Sequence, residues 1–335
     1  MRRYLPDPFI LALLATVAVA TVWPCRGAAV QGFKLLTVLA IGLMFFLYGV
    51  RLSGATLLAG LAHWRLHMAI LLCTFALYPL LGLAMARAAP GLLPPSAWLG
   101  LLFVCMLPST VQSSIAFTSI AGGNVAGAIC AATISNLLGT VLTPFLVAAL
   151  VRTRGQVPAA EIWQILTQLL LPFLAGQLCR PWLGAWAVRH RGPLAISDRG
   201  SILLIVYTAF SAAVVEGIWQ RLSWQTLLVL LAVATVLLGL VLAATTYGSR
   251  WLRFSHEDEI AIVFCGSKKS LASGIPIANV LFAGPALGMT VLPLMMFHQL
   301  QLMVASALAA RYARRASAVA AATARVDDSP ARGSD

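Results

Sequence analysis

Charge is scarce in this chain, and negative charge is scarcest. Only 10% of its 335 residues are Asp, Glu, Lys or Arg, with 10 acids against 23 bases, whereas a soluble domain carries about 25% charged residues. A water-facing globular surface cannot be covered with so few. There is no HExxH string, no GxSxG string and no pair of acids inside an apolar stretch, so the usual apparatus of hydrolysis is missing. Six cysteines, Cys25, Cys73, Cys105, Cys130, Cys179 and Cys265, fall one to a segment without CxxC or Cys/His spacing. Neither a disulfide framework nor a zinc site is expected, and the cysteines read as small core residues. The chain reads as a non-enzyme that needs no cofactor and no metal.

What it has instead is apolar length. Hydrophobic residues make up 60% of the chain and the mean hydropathy is +0.91, which indicates an all-α polytopic membrane protein. A spanning helix needs about 20 mostly apolar residues to cross the hydrocarbon with its backbone bonds satisfied internally. Ten such segments can be read: Pro8 to Trp23, Leu35 to Leu52, Ala69 to Ala88, Ala97 to Ala121, Asn124 to Val151, Ile162 to Trp186, Ile202 to Trp219, Leu227 to Ala244, Ile260 to Phe282 and Leu287 to Ala310. The connections are too short to hold a separate domain. Residues 313–335, with Asp327, Asp328 and Arg332, lack apolar surface and are expected to form a disordered tail.

Arg2 and Arg3 ahead of an apolar run look like a cleaved signal peptide, but Pro24, Cys25 and Arg26 make a poor cleavage site. Of the 23 basic residues, 15 lie at the amino terminus, in the loops after even-numbered spans or in the tail, and 6 on the other side, the two of the ninth span aside. Basic residues stay cytoplasmic, so both termini are expected in the cytoplasm and the chain in the inner membrane, multi-pass. The net charge of +13 is thus a topological signal rather than a nucleic-acid footprint. Arg311, Arg314 and Arg315 are placed to meet anionic lipid headgroups.

The two halves resemble each other. Ser109-Thr110-Val111-Gln112-Ser113-Ser114-Ile115-Ala116 lies over Cys265-Gly266-Ser267-Lys268-Lys269-Ser270-Leu271-Ala272, and Asn124-Val125 over Asn279-Val280. Five spans per half is an odd number, so the second copy enters from the opposite face. The units are then residues 8–151 and 162–310, two inverted five-helix repeats. Such repeats, built around helices broken at mid-membrane, are a recurrent design of secondary transporters, with substrate and ions held where the breaks meet. Pro108 interrupts the fourth segment, removing a donor and disfavouring helix at Leu107. Gly266 to Ser270, and then Gly274-Ile275-Pro276, are expected to do the same in the ninth. The candidate solute or ion ligands are Ser109, Thr110, Gln112, Ser113, Ser114, Asn124, Ser267, Lys268, Lys269, Ser270 and Asn279. Alternatively the hydroxyls bond back to nearby carbonyls or across a tight helix interface.

Two of the three lysines, Lys268 and Lys269, are adjacent in the middle of the ninth segment. An ammonium at the bilayer centre costs roughly 2.5–3.5 kcal/mol on insertion scales, and some gain must offset it. Neighbours on a helix project about 100° apart, so the two cannot share one cavity. One is expected to bind an anionic solute while the other meets a Glu or headgroups; alternatively both snorkel. Glu216 sits near the seventh segment's end, where an interfacial position is expected, and Glu257-Asp258-Glu259 opens the ninth helix, where acids suit the dipole. His298, Gln299 and Gln301 can line a pathway. Gly123/Gly127 and Gly284/Gly288 form small-xxx-small pairs for close packing.

At these residues the chain resembles the bile acid:sodium symporter family, and more closely its branch with members in bacteria and in the eukaryotic secretory pathway. The resemblance is carried by Pro108 to Pro144, above all Gly123-Asn124-Val125-Ala126 and Leu142-Thr143-Pro144, and by Phe264-Cys265-Gly266-Ser267-Lys268-Lys269-Ser270-Leu271-Ala272-Ser273-Gly274-Ile275-Pro276. It implies a core bundle of spans three to five and eight to ten with crossing, broken fourth and ninth helices, beside a panel of spans one, two, six and seven. It also implies solute between core and panel, reached by alternating access. The family's sodium ligands fall on Phe264, Lys268, Ser114-Ile115, Ala128 and Ala132, which leaves few oxygens for a hard cation. An ammonium from Lys268 can hold the cation's place permanently, giving uniport, or release a proton as the cavity dries, giving proton coupling. The expectation is a secondary transporter of a small, anionic organic solute, with sodium or protons as the possible coupling ions. The runner-up is a non-transporting membrane regulator of ion homeostasis.

Overall fold

The computed structural model describes residues 8–51, 63–152, 159–215, 217, 223–282 and 285–327, which form helices and no strand. In chain order these are α1 (Pro8–Val22), α2 (Ala29–Arg51), α3 (Trp64–Leu72), a π-helical turn (Cys73–Leu77), α4 (Tyr78–Ala88), α5 (Pro95–Met106), α6 (Gln112–Ile120) and α7 (Val125–Arg152). There follow α8 (Ala159–Arg189), α9 (Arg191–Val215), α10 (Trp224–Trp251), α11 (His256–Gly266), α12 (Leu271–Leu281) and α13 (Pro285–Asp327).

Seven stretches of the described residues are long and apolar enough to cross a membrane, and shorter apolar helices cover Leu11–Val22 and Pro95–Met106. Four exposed tryptophans mark helix ends, Trp23 just after α1, Trp64 at the start of α3, and Trp224 and Trp251 at the two ends of α10. Indole rings favour the headgroup level, so they mark the limits of the apolar zone. The stretch His256–Leu281 differs from the rest: 94% of its apolar window is buried, against 28% to 44% for the others. The ninth segment is therefore wrapped by protein, and neither lysine meets lipid.

Two groups of helices are evident from who touches whom. α2 lies along α8, and α1 and α2 against α9. α2 and α8 approach backbone to backbone, since a Cβ on Gly49 would overlap the Phe173 carbonyl and one on Gly176 the Phe46 carbonyl. A side chain at either position would force the pair apart. α11 packs among α3, α6, α7 and α10, while α13 runs beside α5, α6, α9, α10 and α12.

Both expected breaks are present. Leu107 is extended, with φ −75° and ψ 154°, as the clash with the following proline ring demands. Helix resumes at Gln112. In the ninth segment α11 stops at Gly266 and α12 starts at Leu271, capped by Ser270, whose hydroxyl accepts from the Ser273 amide. The expected second interruption at Gly274-Ile275-Pro276 is absent; these residues are helical and buried within α12. Gly274 instead admits Leu107, whose Cδ1 would lie 2.5 Å from an added Cβ.

Several other features depart from expectation: α2 starts at Ala29 rather than Leu35, and α10 ends at Trp251 rather than Ala244. The seventh segment starts at Arg191 rather than Ile202, because Asp198 is neutralised by Arg51 of α2 at 2.6 Å. The last helix does not stop at Ala310 but continues to Asp327, into the stretch expected to be a disordered tail, an alanine-rich run of high helix propensity. The third segment contains the unforeseen π turn. Glu216, Gly284 and residues 328–335 lie outside the described residues.

Candidate functional site

A broken helix frees carbonyls at its first piece and amides at its second, and buried ones must find partners. At the crossing each break supplies the other. The Ser270 amide donates to the Pro108 carbonyl at 2.9 Å. Ser109 Oγ donates to the Cys265 carbonyl at 2.6 Å and Ser114 Oγ to the Phe264 carbonyl at 3.0 Å, closing the last turn of α11. The Met106 carbonyl takes the Thr143 hydroxyl at 2.8 Å, and the Ser109 amide finds Ser135 Oγ at 3.0 Å. Thr110 Oγ1 lies 2.8 Å from Ser113 Oγ and 3.0 Å from Ser114 Oγ, linking the hydroxyls into one network. Ser267 bonds back to the Val263 carbonyl, and its own carbonyl accepts from Tyr78.

Two carbonyls of the first break, Cys105 and Leu107, have a different partner. Lys269 Nζ donates to both at 2.8 Å and to the Thr74 carbonyl at 2.7 Å. An ammonium has three donors, and all three are used. The Tyr78 ring lies 4.2 Å from the same nitrogen, a cation–π contact. The end of α5 is the negative end of its dipole, which favours a cation there. Thr74 is free because of the π turn: the Tyr78 amide bonds to the Cys73 carbonyl, and the next residue in that register, Pro79, has no N–H to give. Lys269 supplies the missing proton donor. Gln301 then holds the lysine backbone from both sides, accepting its amide and donating to its carbonyl, each at 2.8 Å.

Lys268 points the other way, toward α6. Its Nζ donates to the Ser113 carbonyl at 3.1 Å and sits 3.8 Å from the centroid of Phe117, with Phe264 at 5.7 Å. It is 1% exposed. Among the described residues no carboxylate lies within ion-pair distance of either lysine; the ion pairs there are Arg51–Asp198 and Arg250–Glu259. Lys268 is thus a buried cation with one hydrogen bond and two rings. The expected 100° separation does not apply, since both lysines lie in non-helical chain. Their side chains diverge, that of Lys268 toward Ser113 and that of Lys269 toward Thr74, Cys105 and Leu107. Neither meets a Glu among the described residues, nor does either snorkel to an interface.

Among the described residues Asn124, Gln112 and Asn279 form no hydrogen bond within this network. Asn124 caps α7 through the Gly127 amide at 2.8 Å and donates to Asp258 at 2.7 Å, at the start of α11. Gln112 is exposed on the first turn of α6, and Asn279 is half-buried near the end of α12. The three acids opening α11 serve its first turn, with Ser255 as the cap. Glu259 also takes both arms of Arg250 at 2.8 and 2.9 Å and the Tyr312 hydroxyl at 3.1 Å. Gln301 and His298 are joined at 2.9 Å. Gly123 and Gly127 make room for Ile260 and Leu66, as close packing requires.

Thr74, Tyr78, Ser135 and Phe117 join the site without having been expected there. The sequence did hold one signal for the first two: Pro79, in the middle of an apolar segment, must free a carbonyl one turn earlier. Ser135 and Phe117 carry no local mark.

The sequence also matches known proteins. The model of the SBF-like CPA transporter family matches residues 7–314. "Uncharacterized protein PA2026" of Pseudomonas aeruginosa is 54% identical over 324 residues, 96% of this chain and 97% of that protein. "Putative symporter YfeH" of Escherichia coli K12 is 50% identical over 310 residues, 92% of this chain and 93% of that protein. "Sodium/bile acid cotransporter 7" of Mus musculus is 28% identical over 318 residues, again 92% and 93% of the two chains.

Proposed function

This chain belongs to the SBF-like CPA transporter family, and we propose from that premise that it is a secondary transporter moving a small organic anion across the inner membrane. The single observation that supports the anion is Lys268, whose ammonium is 1% exposed, holds one hydrogen bond and has no carboxylate in ion-pair reach among the described residues. A buried charge is stable only when paired. A carboxylate or other anionic group on the solute supplies the missing partner.

Ten spans in two inverted halves, with both termini cytoplasmic, give the transport cycle its form. The crossing of the fourth and ninth helices belongs to a core of spans three to five and eight to ten, and α1, α2, α8 and α9 form the panel. Solute binds between them, at the hydroxyls of Ser109, Thr110, Ser113, Ser114, Ser267 and Ser270 and at Lys268. Gln112 and Asn279 line its approach. In the conformation described Lys268 is closed off, so solute reaches it when core and panel part, the movement that alternating access requires.

Sodium is not the driving ion in this reading. The positions resembling its ligands hold Phe264, Ala128 and Ala132, all buried and apolar, and a hard cation needs several oxygens. Transport is then uniport or is coupled to protons. Purified protein in vesicles tests the proposal with labelled organic anions, varying sodium, potassium and pH. Wild type takes up at least one anion without sodium, and Lys268→Ala lowers that uptake about tenfold or more, the worth of a charged hydrogen bond. Undiminished uptake by Lys268→Ala removes the anion assignment. If the chain alone moves no solute, it is not a transporter.

A further inference from the structure

The nest around Lys269 has the form of a cation site whose cation is covalently attached. We propose that the carbonyls of Thr74, Cys105 and Leu107, closed on one side by the Tyr78 ring, constitute a monovalent-cation pocket that Lys269 permanently fills, and that an alkylammonium or alkali ion enters it when that side chain is removed. The inference deepens the transporter reading, on which its consequence for coupling rests. A carrier with its own cation in place needs none from solution.

Three features favour a pocket over an incidental contact. The acceptors come from two separate elements, the π turn and the broken end of α5, and converge on one point with Nζ···O distances of 2.7, 2.8 and 2.8 Å. Each carbonyl is free for its own backbone reason, so none can be satisfied by its own helix when the ammonium leaves. The surroundings are rigid: Tyr78 is fully buried and tied to the Ser267 carbonyl, and Gln301 fixes the lysine backbone. Convergent carbonyls that replace an ion's hydration shell are how unwound backbone binds monovalent cations within membranes.

The experiment is chemical rescue of stability. Lys269→Ala deletes the equivalent of n-propylammonium. In detergent, without added amine, its melting temperature is expected to fall by about 10 °C, since three buried carbonyls lose their donor. Millimolar n-propylammonium chloride recovers more than half of that fall, and tetramethylammonium, which has no N–H, recovers none. Lys268→Ala, whose ammonium holds a single carbonyl, gains nothing from n-propylammonium. Wild type melts at the same temperature in sodium, potassium and choline chloride at equal ionic strength. The proposal is overturned if Lys269→Ala melts like wild type, or falls without rescue by n-propylammonium, sodium or potassium. It is also overturned if sodium alone raises the wild-type melting temperature by several degrees, a test that stands even where Lys269→Ala does not fold. Melting is read without transport, so rescue in a protein that carries nothing, or uptake in one that shows no rescue, separates the two proposals.

Discussion

Lys268 and Lys269 are separated by one peptide bond and live in unlike surroundings. Lys269 has three carbonyls for three protons and lies at the negative end of a helix; Lys268 has one carbonyl, the face of Phe117 and no described carboxylate. The first is a saturated cation, held in place by backbone groups that need it as much as it needs them. The second is an unsaturated one. Placement of a charge in a membrane protein therefore says little by itself; the count of partners decides whether the surrounding structure satisfies it or leaves it short.

The contrast is broken most forcefully at Lys269. Lys269→Met keeps the volume and removes the donors, and is expected to cost about 3 kcal/mol through the orphaned carbonyls, read as a fall in detergent melting temperature. Lys268→Ala is expected to lie within about 1 kcal/mol of wild type on the same assay, because a poorly paired buried charge contributes little, while losing uptake. Should the two variants lose equal stability, the division between them is void.

Phe117→Leu sharpens the Lys268 side. It removes the ring face and leaves an apolar side chain, worth about 0.5–2 kcal/mol, so the affinity for an anionic solute in uptake assays shifts a few-fold while the maximal rate holds. Asn124→Ala, at the start of α7, costs about 1 kcal/mol for the lost cap and leaves solute affinity unchanged, which a melting curve and an uptake titration distinguish. The smallest effect is expected from Pro79→Ala. The new amide competes with Lys269 for the Thr74 carbonyl, and the net change in stability stays under about 1 kcal/mol because one donor replaces another.

Much of the architecture is legible in the sequence. Apolar runs had to become helices, and Pro108 together with the polar run at Gly266 to Ser270 had to become breaks, since lipid tolerates freed backbone only where protein covers it. The match between Ser109–Ala116 and Cys265–Ala272 correctly paired the breaks that touch. Other features depended on tertiary partners. The polar start of α9 from Arg191 carries Asp198, whose partner Arg51 lies on the neighbouring α2. The directions of the two lysines could not be read from helical phase, because the break places both outside the helices. Gly274-Ile275-Pro276 looked like a second interruption, yet the glycine serves Leu107 and the helix persists. Asn124 matched Asn279 in the repeat, yet it caps α7 and holds Asp258, outside the hydrogen-bond network of the crossing.

With only Lys34 as a third lysine in the chain, one measurement compares the pair directly in wild-type protein: amine-selective modification of the transporter in vesicles, quantified residue by residue by mass spectrometry. Lys268 is expected to be modified at least about tenfold faster than Lys269, a difference of about 1.4 kcal/mol in free energy, and an added organic anion that is taken up is expected to slow Lys268 alone. Equal rates at the two positions, or protection of Lys269 by solute, would contradict the contrast between them.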